Sequence, residues 1–353
     1  MRILSVGRAL PPHQHTQDEI RTMLAELWAS QASIVVRLPK LYENTRVERR
    51  HLALPLDAYR ELDSFGKAND AWIHSSLELG QQAIEDALEQ AELTPADVDA
   101  LFTVSVTGVA SPALDARLMN RMPLRPDMKR IPIFGLGCVA GVAGIARAAD
   151  YVRAFPDQVA VLLSVELCSL TFQRHDLSLA HVLSAGLFGD GAAAVVVVGE
   201  ERAARMGKQG TRIVATRSVF YPNTEDAMGW RISEHGFGLI LSPEVPELAR
   251  TRLAPDVDRF LADQGCTRAD IRHWICHPGG PKVLQGMQEG LALTEDDVAL
   301  SWEMLAEQGN LSSTSVLMVL RETLARRGPE PGEAGLLLAM GPAFCSELVL
   351  VEG

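Results

Sequence analysis

Two stretches of the chain repeat one another at a fixed distance, and this repeat restricts the fold more than any other feature. Ala96-Asp97-Val98-Asp99-Ala100-Leu101-Phe102 matches Ala269-Asp270-Ile271-Arg272-His273-Trp274-Ile275, 173 positions later. Gly137-Cys138 and Gly309-Asn310, 172 positions apart, each precede a helical segment. Two matches at nearly one offset predict an internal duplication. Residues 1–215 then form one half, carrying Cys138, and residues 216–353 a second half, carrying His277 and Asn310. Cys138 and Asn310 occupy corresponding helix N-termini, facing each other across a pseudo-dyad.

Helical and strand patterns alternate along the whole chain, which is α/β order. Ser75–Gln90 has helical spacing of apolar residues and is followed by the turn Thr94–Asp97 and the apolar run Ala100–Val106. Val257–Gln264, the turn Thr267–Asp270 and the strand-like Ile271–Cys276 repeat that order. With 33 Lys+Arg against 45 Asp+Glu, the net charge of −12 opposes bulk attraction to nucleic acid or to an anionic membrane. An anionic ligand must find a local basic patch. No apolar run reaches the ~18 residues of a membrane span, and the first residues turn polar by Pro11, so the expected location is the cytoplasm. The five cysteines, Cys138, Cys168, Cys266, Cys276 and Cys345, lack CxxC spacing and read as reduced thiols, with neither disulfide frame nor metal site.

The segment from Ile131 to Gly144 carries the chemistry. An apolar strand enters a glycine-bearing turn, and a helix of small residues leaves it. Cys138 then lies at a helix N-terminus, where unpaired N–H groups and the macrodipole lower a thiol's pKa. Gly135-x-Gly137-x-x-Ala140 also fits a dinucleotide fingerprint. That unit requires an acidic residue at the end of a second strand, and Asp157 falls instead in the turn Phe155–Gln158. His277 ends a strand before Pro278-Gly279-Gly280-Pro281, and Asn310 stands at a helix start, which read alone is an ordinary N-cap. Together, one Cys, one His and one Asn at element boundaries are the parts for thiol acyl transfer. Arg46, Arg49 and Arg50 form the densest basic cluster near the N-terminus and could hold phosphates, or else be a solvated face.

The sequence resembles the type III polyketide synthases, chalcone-synthase-like enzymes of the thiolase fold. The resemblance rests on Gly135–Gly141, Val165-Glu166 with Leu170-Thr171-Phe172, Ala185–Gly191 around Phe188, His277–Pro281 and Gly309–Ser313, in family order over nearly the whole chain. It implies a five-layered αβαβα subunit in a homodimer, no metal or redox cofactor, and acyl-CoA and malonyl-CoA as substrates. Cys138 would be the nucleophile, His277 and Asn310 its catalytic partners, and Phe188 a gatekeeper of the tunnel admitting the CoA arm. Arg46, Arg49 and Arg50 would lie in the CoA-phosphate region, where Asn44 replaces a lysine. Glu166, Thr171 and Ser312 match family positions, whereas Val106 and Cys168 stand where plant enzymes have threonines. Leu239 occupies the place of a second gatekeeper phenylalanine, with Phe237 the alternative after a one-residue gap. The loop Ala339–Ala343 keeps only the central Gly341-Pro342 of the plant-type motif. Val106 and Leu239 suggest a roomy, greasy pocket.

Among bacterial members, the nearest likeness is to enzymes making alkylpyrones or alkylresorcinols from fatty acyl starters. A tetrahydroxynaphthalene synthase using malonyl units alone is second. A β-ketoacyl-carrier-protein synthase of fatty acid initiation shares the Cys-His-Asn set but has His-Gln-Ala-Asn where this chain has His277-Pro278-Gly279. A non-catalytic thiolase-fold partner would usually lack the nucleophile, which is present here.

Overall fold

The repeated stretches fold alike. Thr94 and Thr267 each open a single 3-10 turn, Pro95–Asp97 and Arg268–Asp270. Both are closed by a capping box in which the aspartate accepts from the backbone and hydroxyl of the threonine. A strand follows each. The computed structural model describes residues 1–353. Its strands are β1 (Arg2–Ala9), β2 (His13–Thr16), β3 (Arg49–Leu52), β4 (Ala100–Val104), β5 (Lys129–Ile133), β6 (Val159–Leu167), β7 (Asp190–Val198), β8 (Thr211–Phe220), β9 (Met228–Ser233), β10 (Gly236–Leu241), β11 (Ile271–Cys276), β12 (Ala334–Gly341) and β13 (Cys345–Glu352). The longer helices are α1 (Gln17–Leu27), α2 (Phe65–Ala91), α3 (Ala140–Ala154), α4 (Leu179–Leu187), α5 (Val245–Asp263), α6 (Pro281–Leu291), α7 (Ala299–Gln308) and α8 (Ser313–Arg327).

Nine strands join in the order β11-β12-β13-β8-β1-β7-β6-β4-β5. Their pairing repeats. β4 runs parallel to β6, which is antiparallel to β7, which is antiparallel to β1. Likewise β11 runs parallel to β12, which is antiparallel to β13, which is antiparallel to β8. A short β1–β8 pairing at Arg2 and Ile3 joins the two sets. The expected boundary at 215/216 falls inside β8, so the topological division comes earlier, ahead of that strand.

Strand alternation builds the layers. Val159, Val161 and Leu163 of β6 turn toward α2, while Ala160 and Leu162 turn the other way, toward α3 and α8. On the second set of strands, Leu337 and Val349 face those same central helices, and Leu336, Leu338, Leu348 and Leu350 pack on α5 and α6. The order is therefore helix, sheet, paired helices, sheet, helices. The periodicity that predicts Ser75–Gln90 captures only the later turns of α2, which begins at Phe65 behind the N-cap Ser64. The second helix likewise starts earlier than expected, at Val245, and continues through Pro255.

Candidate active site

Small residues bring the site together. Gly141, in the first turn of α3, lies so close to α8 that a Cβ there would sit 2.2 Å from the Ser313 carbonyl oxygen. The two central helices therefore meet at their N-terminal ends. Cys138 occupies the turn Gly137–Val139 that leads into α3. Gly137 has φ +56, and a Cβ on it would lie 2.6 Å from Pro342. That contact explains why Gly341-Pro342 persists in a loop that otherwise departs from the plant-type motif. Across the junction, the Cys138 Sγ–H points to Ser312 Oγ at 3.7 Å. Ser312 itself has φ +49, a left-handed conformation that is strained for a non-glycine residue and typical of functional sites.

Hydrogen bonds extend from there to His277. Asn310 Oδ1 accepts from the Ser312 N–H at 2.8 Å, and Asn310 Nδ2 donates to the Gly279 carbonyl at 3.0 Å. Gly279 abuts the imidazole: a Cβ there would lie 3.3 Å from His277 Nε2. His277 directly follows β11, its N–H held by the Leu338 carbonyl at 3.0 Å, and is 2% exposed. Neither of its ring nitrogens has a partner. A buried imidazole with both nitrogens free is costly unless something outside the resting structure uses them.

Burial and the helix dipole act in opposite directions on the sulfur. The helix dipole predicts an ionised thiol, but burial pushes Cys138 up to about 12. The charge of Glu166 adds to the rise, and hydrogen bonds from Ser312 and Asn310 only partly offset it. Burial also pushes His277 down to about 4. Burial thus opposes charge on each of the two groups taken alone. Desolvation outweighs the dipole because protein surrounds the sulfur, although Cys138 keeps partial access to solvent.

Glu166 is fully buried on β6 and accepts from Ser105 Oγ at 3.3 Å, the Val106 N–H at 3.1 Å, Thr107 Oγ1 at 2.9 Å and Ser313 Oγ. Burial raises it to about 7 despite these donors. Ser105, Thr107 and Ser313 escape the sequence reading; the alternation of Ser105, Val106 and Thr107 just past β4 is the signal that could have found them. Cys168 and Thr171 lie in the turn after β6, with Thr171 Oγ1 donating to the Cys168 carbonyl at 2.7 Å. Both line a cavity of about 50 Å³ with Phe188, Met23, Leu24 and Phe172. That volume admits a few waters and is well below the ~150 Å³ of a cavity that holds benzene. The cavity is bordered by α1 and Phe172, and Cys138, His277 and Asn310 are not among its lining residues. Neither Leu239 nor Phe237 lines it. Phe237 is buried edge-on against Phe65 at 5.5 Å and near Trp230 at 6.1 Å, anchoring the β9–β10 hairpin. Leu239, paired with Trp230, is half-buried.

The basic cluster splits. Arg46 is exposed, its guanidinium 4.7 Å above the Trp302 ring, and Arg49 is exposed and paired with Glu307 at 3.4 Å. Arg50 is 1% exposed, its guanidinium donating to the Ala185 and Phe188 carbonyls. It is therefore no part of a surface phosphate site. Successive strand residues point to opposite faces, so Arg49 turns outward and Arg50 inward. No group of three His, Cys, Asp or Glu side chains is arranged to hold a metal, and no helix is long and apolar enough to cross a membrane.

Comparison with known proteins agrees with this geometry. The N-terminal domain of chalcone and stilbene synthases matches residues 1–201 and their C-terminal domain matches residues 212–353. A 1,3,6,8-tetrahydroxynaphthalene synthase of Streptomyces peucetius subsp. caesius is 48% identical over 99% of this chain and 92% of its own length. The crystal structure of a 1,3,6,8-tetrahydroxynaphthalene synthase from Streptomyces coelicolor A3(2), described as a bacterial type III polyketide synthase, superposes with a TM-score of 0.91 at 32% identity, covering 99% of both chains. PKS-I from the brown alga Ectocarpus siliculosus gives a TM-score of 0.92 at 27% identity, over 99% of this chain and 97% of its own. With both domains and the whole thiolase-like fold matched, the chain belongs to the chalcone and stilbene synthase family and is a type III polyketide synthase, a condensing acyltransferase.

Proposed function

We propose that the chain condenses malonyl units alone, as a 1,3,6,8-tetrahydroxynaphthalene synthase, rather than extending a long fatty acyl starter. The observation that carries this reading is the 48% identity, over 99% of the chain, to a 1,3,6,8-tetrahydroxynaphthalene synthase.

The chemistry starts at the thiol: His277 takes the Cys138 proton, and the thiolate attacks the thioester carbonyl. The tetrahedral intermediate collapses, and the departing CoA thiolate takes the proton back from the imidazolium. A second malonyl-CoA then loses CO₂, and its electron pair moves into an enolate. A ring N–H of His277 and the amide N–H of Asn310 that is not given to Gly279 stabilise the enolate oxygen. The enolate carbon attacks the Cys138 thioester, the sulfur leaves, and the lengthened chain returns to it. Glu166, Val106, Cys168, Thr171 and Ser312 shape the space in which the chain folds, and Phe188 borders it. Arg46 and Arg49 meet the CoA phosphates. The substrates are CoA thioesters, with no further cofactor. The unpaired outer edge of β5 beside the exposed Phe134 supports a homodimer, and five unpaired cysteines support the cytoplasm.

Product analysis with malonyl-CoA alone, and with starter CoAs of two to eighteen carbons, tests the reading. Tetrahydroxynaphthalene from malonyl-CoA alone is the expected result. No product without a starter, together with alkyl-substituted products from the long ones, would overturn it.

A further inference from the structure

The end of α4 is held by an unusual set of donors. Four successive residues at the helix C-terminus offer carbonyls that the helix itself does not satisfy. Ala185 and Phe188 both accept from Arg50 Nη1, at 2.9 and 2.6 Å. Gly186 accepts from Gln17 Nε2 at 2.6 Å, and Gln17 Oε1 in turn accepts from Arg50 Nη2 at 2.9 Å. Leu187 accepts from the Asn310 N–H at 2.9 Å, and the Gly189 N–H donates to the Asn310 carbonyl at 3.0 Å. Asn310 is thus stapled on both sides of its backbone to the strap Leu187–Gly189, which Arg50 grips directly.

Arg50 also shapes the other side of Asn310. Its methylenes fill the space beside Gly309: a Cβ there would be 2.9 Å from Arg50 Cδ and 3.1 Å from Cγ. Gly309 has φ +71, so only glycine fits both the backbone and the gap. The last turn of α4 has no basic residue of its own. The buried guanidinium supplies that missing charge, and the negative end of the helix with the nearby Asp190 carboxylate offsets part of its desolvation.

We propose that Arg50 is a positioning residue for decarboxylation, which holds the Leu187–Gly189 strap and through it the Asn310 carboxamide against the reacting enolate oxygen. The proposal rests on the assignment of Asn310 to that step under the proposed function. Donors aimed at a developing charge must sit within a fraction of an ångström of their place, and a misplacement of about 1 Å costs roughly 10²-fold.

The test separates two partial reactions in the whole enzyme: acylation of Cys138, read by intact mass, and release of CO₂ from malonyl-CoA. Arg50→Met is expected to slow CO₂ release about 10²-fold while acylation stays within about threefold, and Arg50→Lys, which keeps the charge without the fork, to recover about tenfold of that loss. In the Asn310→Ala background, Arg50→Met is expected to add little further loss, because the two residues act in series. Should Arg50→Met fail to fold, the Lys variant carries the same selective loss on a smaller scale. An equal fall in both partial reactions, or no fall in either, overturns the proposal. Full additivity of Arg50→Met and Asn310→Ala would break the route through Asn310. Unimpaired CO₂ release in Asn310→Ala alone would overturn the role of Asn310 itself, which is a separate failure.

Discussion

The two halves of the molecule share a plan and differ where the chemistry is. Each has a capping-box turn, a strand pairing of parallel, antiparallel, antiparallel sense, and a central helix of 15 residues. At the start of the central helix the halves diverge. The first presents Cys138 from a turn made possible by Gly137, in buried surroundings that raise the thiol. The second presents Asn310 and Ser312, the latter in a left-handed conformation, beside an imidazole with no partner. The scaffold is symmetric, and the reaction centre consists of departures from that symmetry. In the proposed mechanism one half supplies the nucleophile and the other the donors.

The largest effect that breaks the comparison is Cys138→Ala, expected to abolish acyl loading in an intact-mass assay and to lower product formation ~10⁴-fold or more. Loading at the wild-type level would return the nucleophile to another residue. Next, Asn310→Ala is expected to retain loading and slow malonyl-CoA decarboxylation about 10²–10³-fold. Equal loss of both steps would make Asn310 a structural residue.

A third prediction concerns pH. Glu166 binds its proton more tightly in the folded chain, its pKa raised by burial from 4.5 to about 7. The stability this contributes is complete below pH 4.5 and is lost as the pH rises through 7. His277, lowered by burial, acts with the opposite sign: its contribution is complete above pH 6.5 and is lost as the pH falls through about 4. In urea unfolding, Glu166→Gln should therefore be less sensitive than the wild type to a change from pH 5 to pH 8, by about 3 kcal/mol at most. Identical pH dependence of the two proteins would contradict the assignment. The smallest expected effect is that of Gly141→Ala. Its methyl would meet the Ser313 carbonyl and push the two central helices apart, costing about 1–3 kcal/mol by the same urea measurement. No change in stability would mean that the close crossing is not required.

What the sequence discloses follows from locality. Cys138, His277 and Asn310 stand beside glycines and prolines that punctuate strand and helix ends, so each is readable in place, and the common offset relates the halves before any contact is known. The Glu166 network is hidden because Glu166, the Ser105–Thr107 stretch and Ser313 come from three distant segments. The fate of Arg50 was hidden because β3 is only four residues long, too short for its alternation to reveal that neighbouring arginines face opposite ways. The burial that raises the Cys138 thiol is hidden for a similar reason. A helix start is visible in sequence, whereas the protein that closes around the sulfur is assembled from both halves. Leu239 and Phe237 could not be separated without the hairpin register, and their separation shows Phe237 to be a packing anchor.

The claim on which the rest depends is that the growing chain is carried on the sulfur of Cys138, within reach of groups from the other half. Brief incubation of the enzyme with malonyl-CoA, followed by proteolysis and mass mapping, measures this directly. The expected result is acyl mass confined to the peptide that contains Cys138. Acyl mass on Cys168 or another residue, or product formed with no acylated peptide at any time, would contradict it.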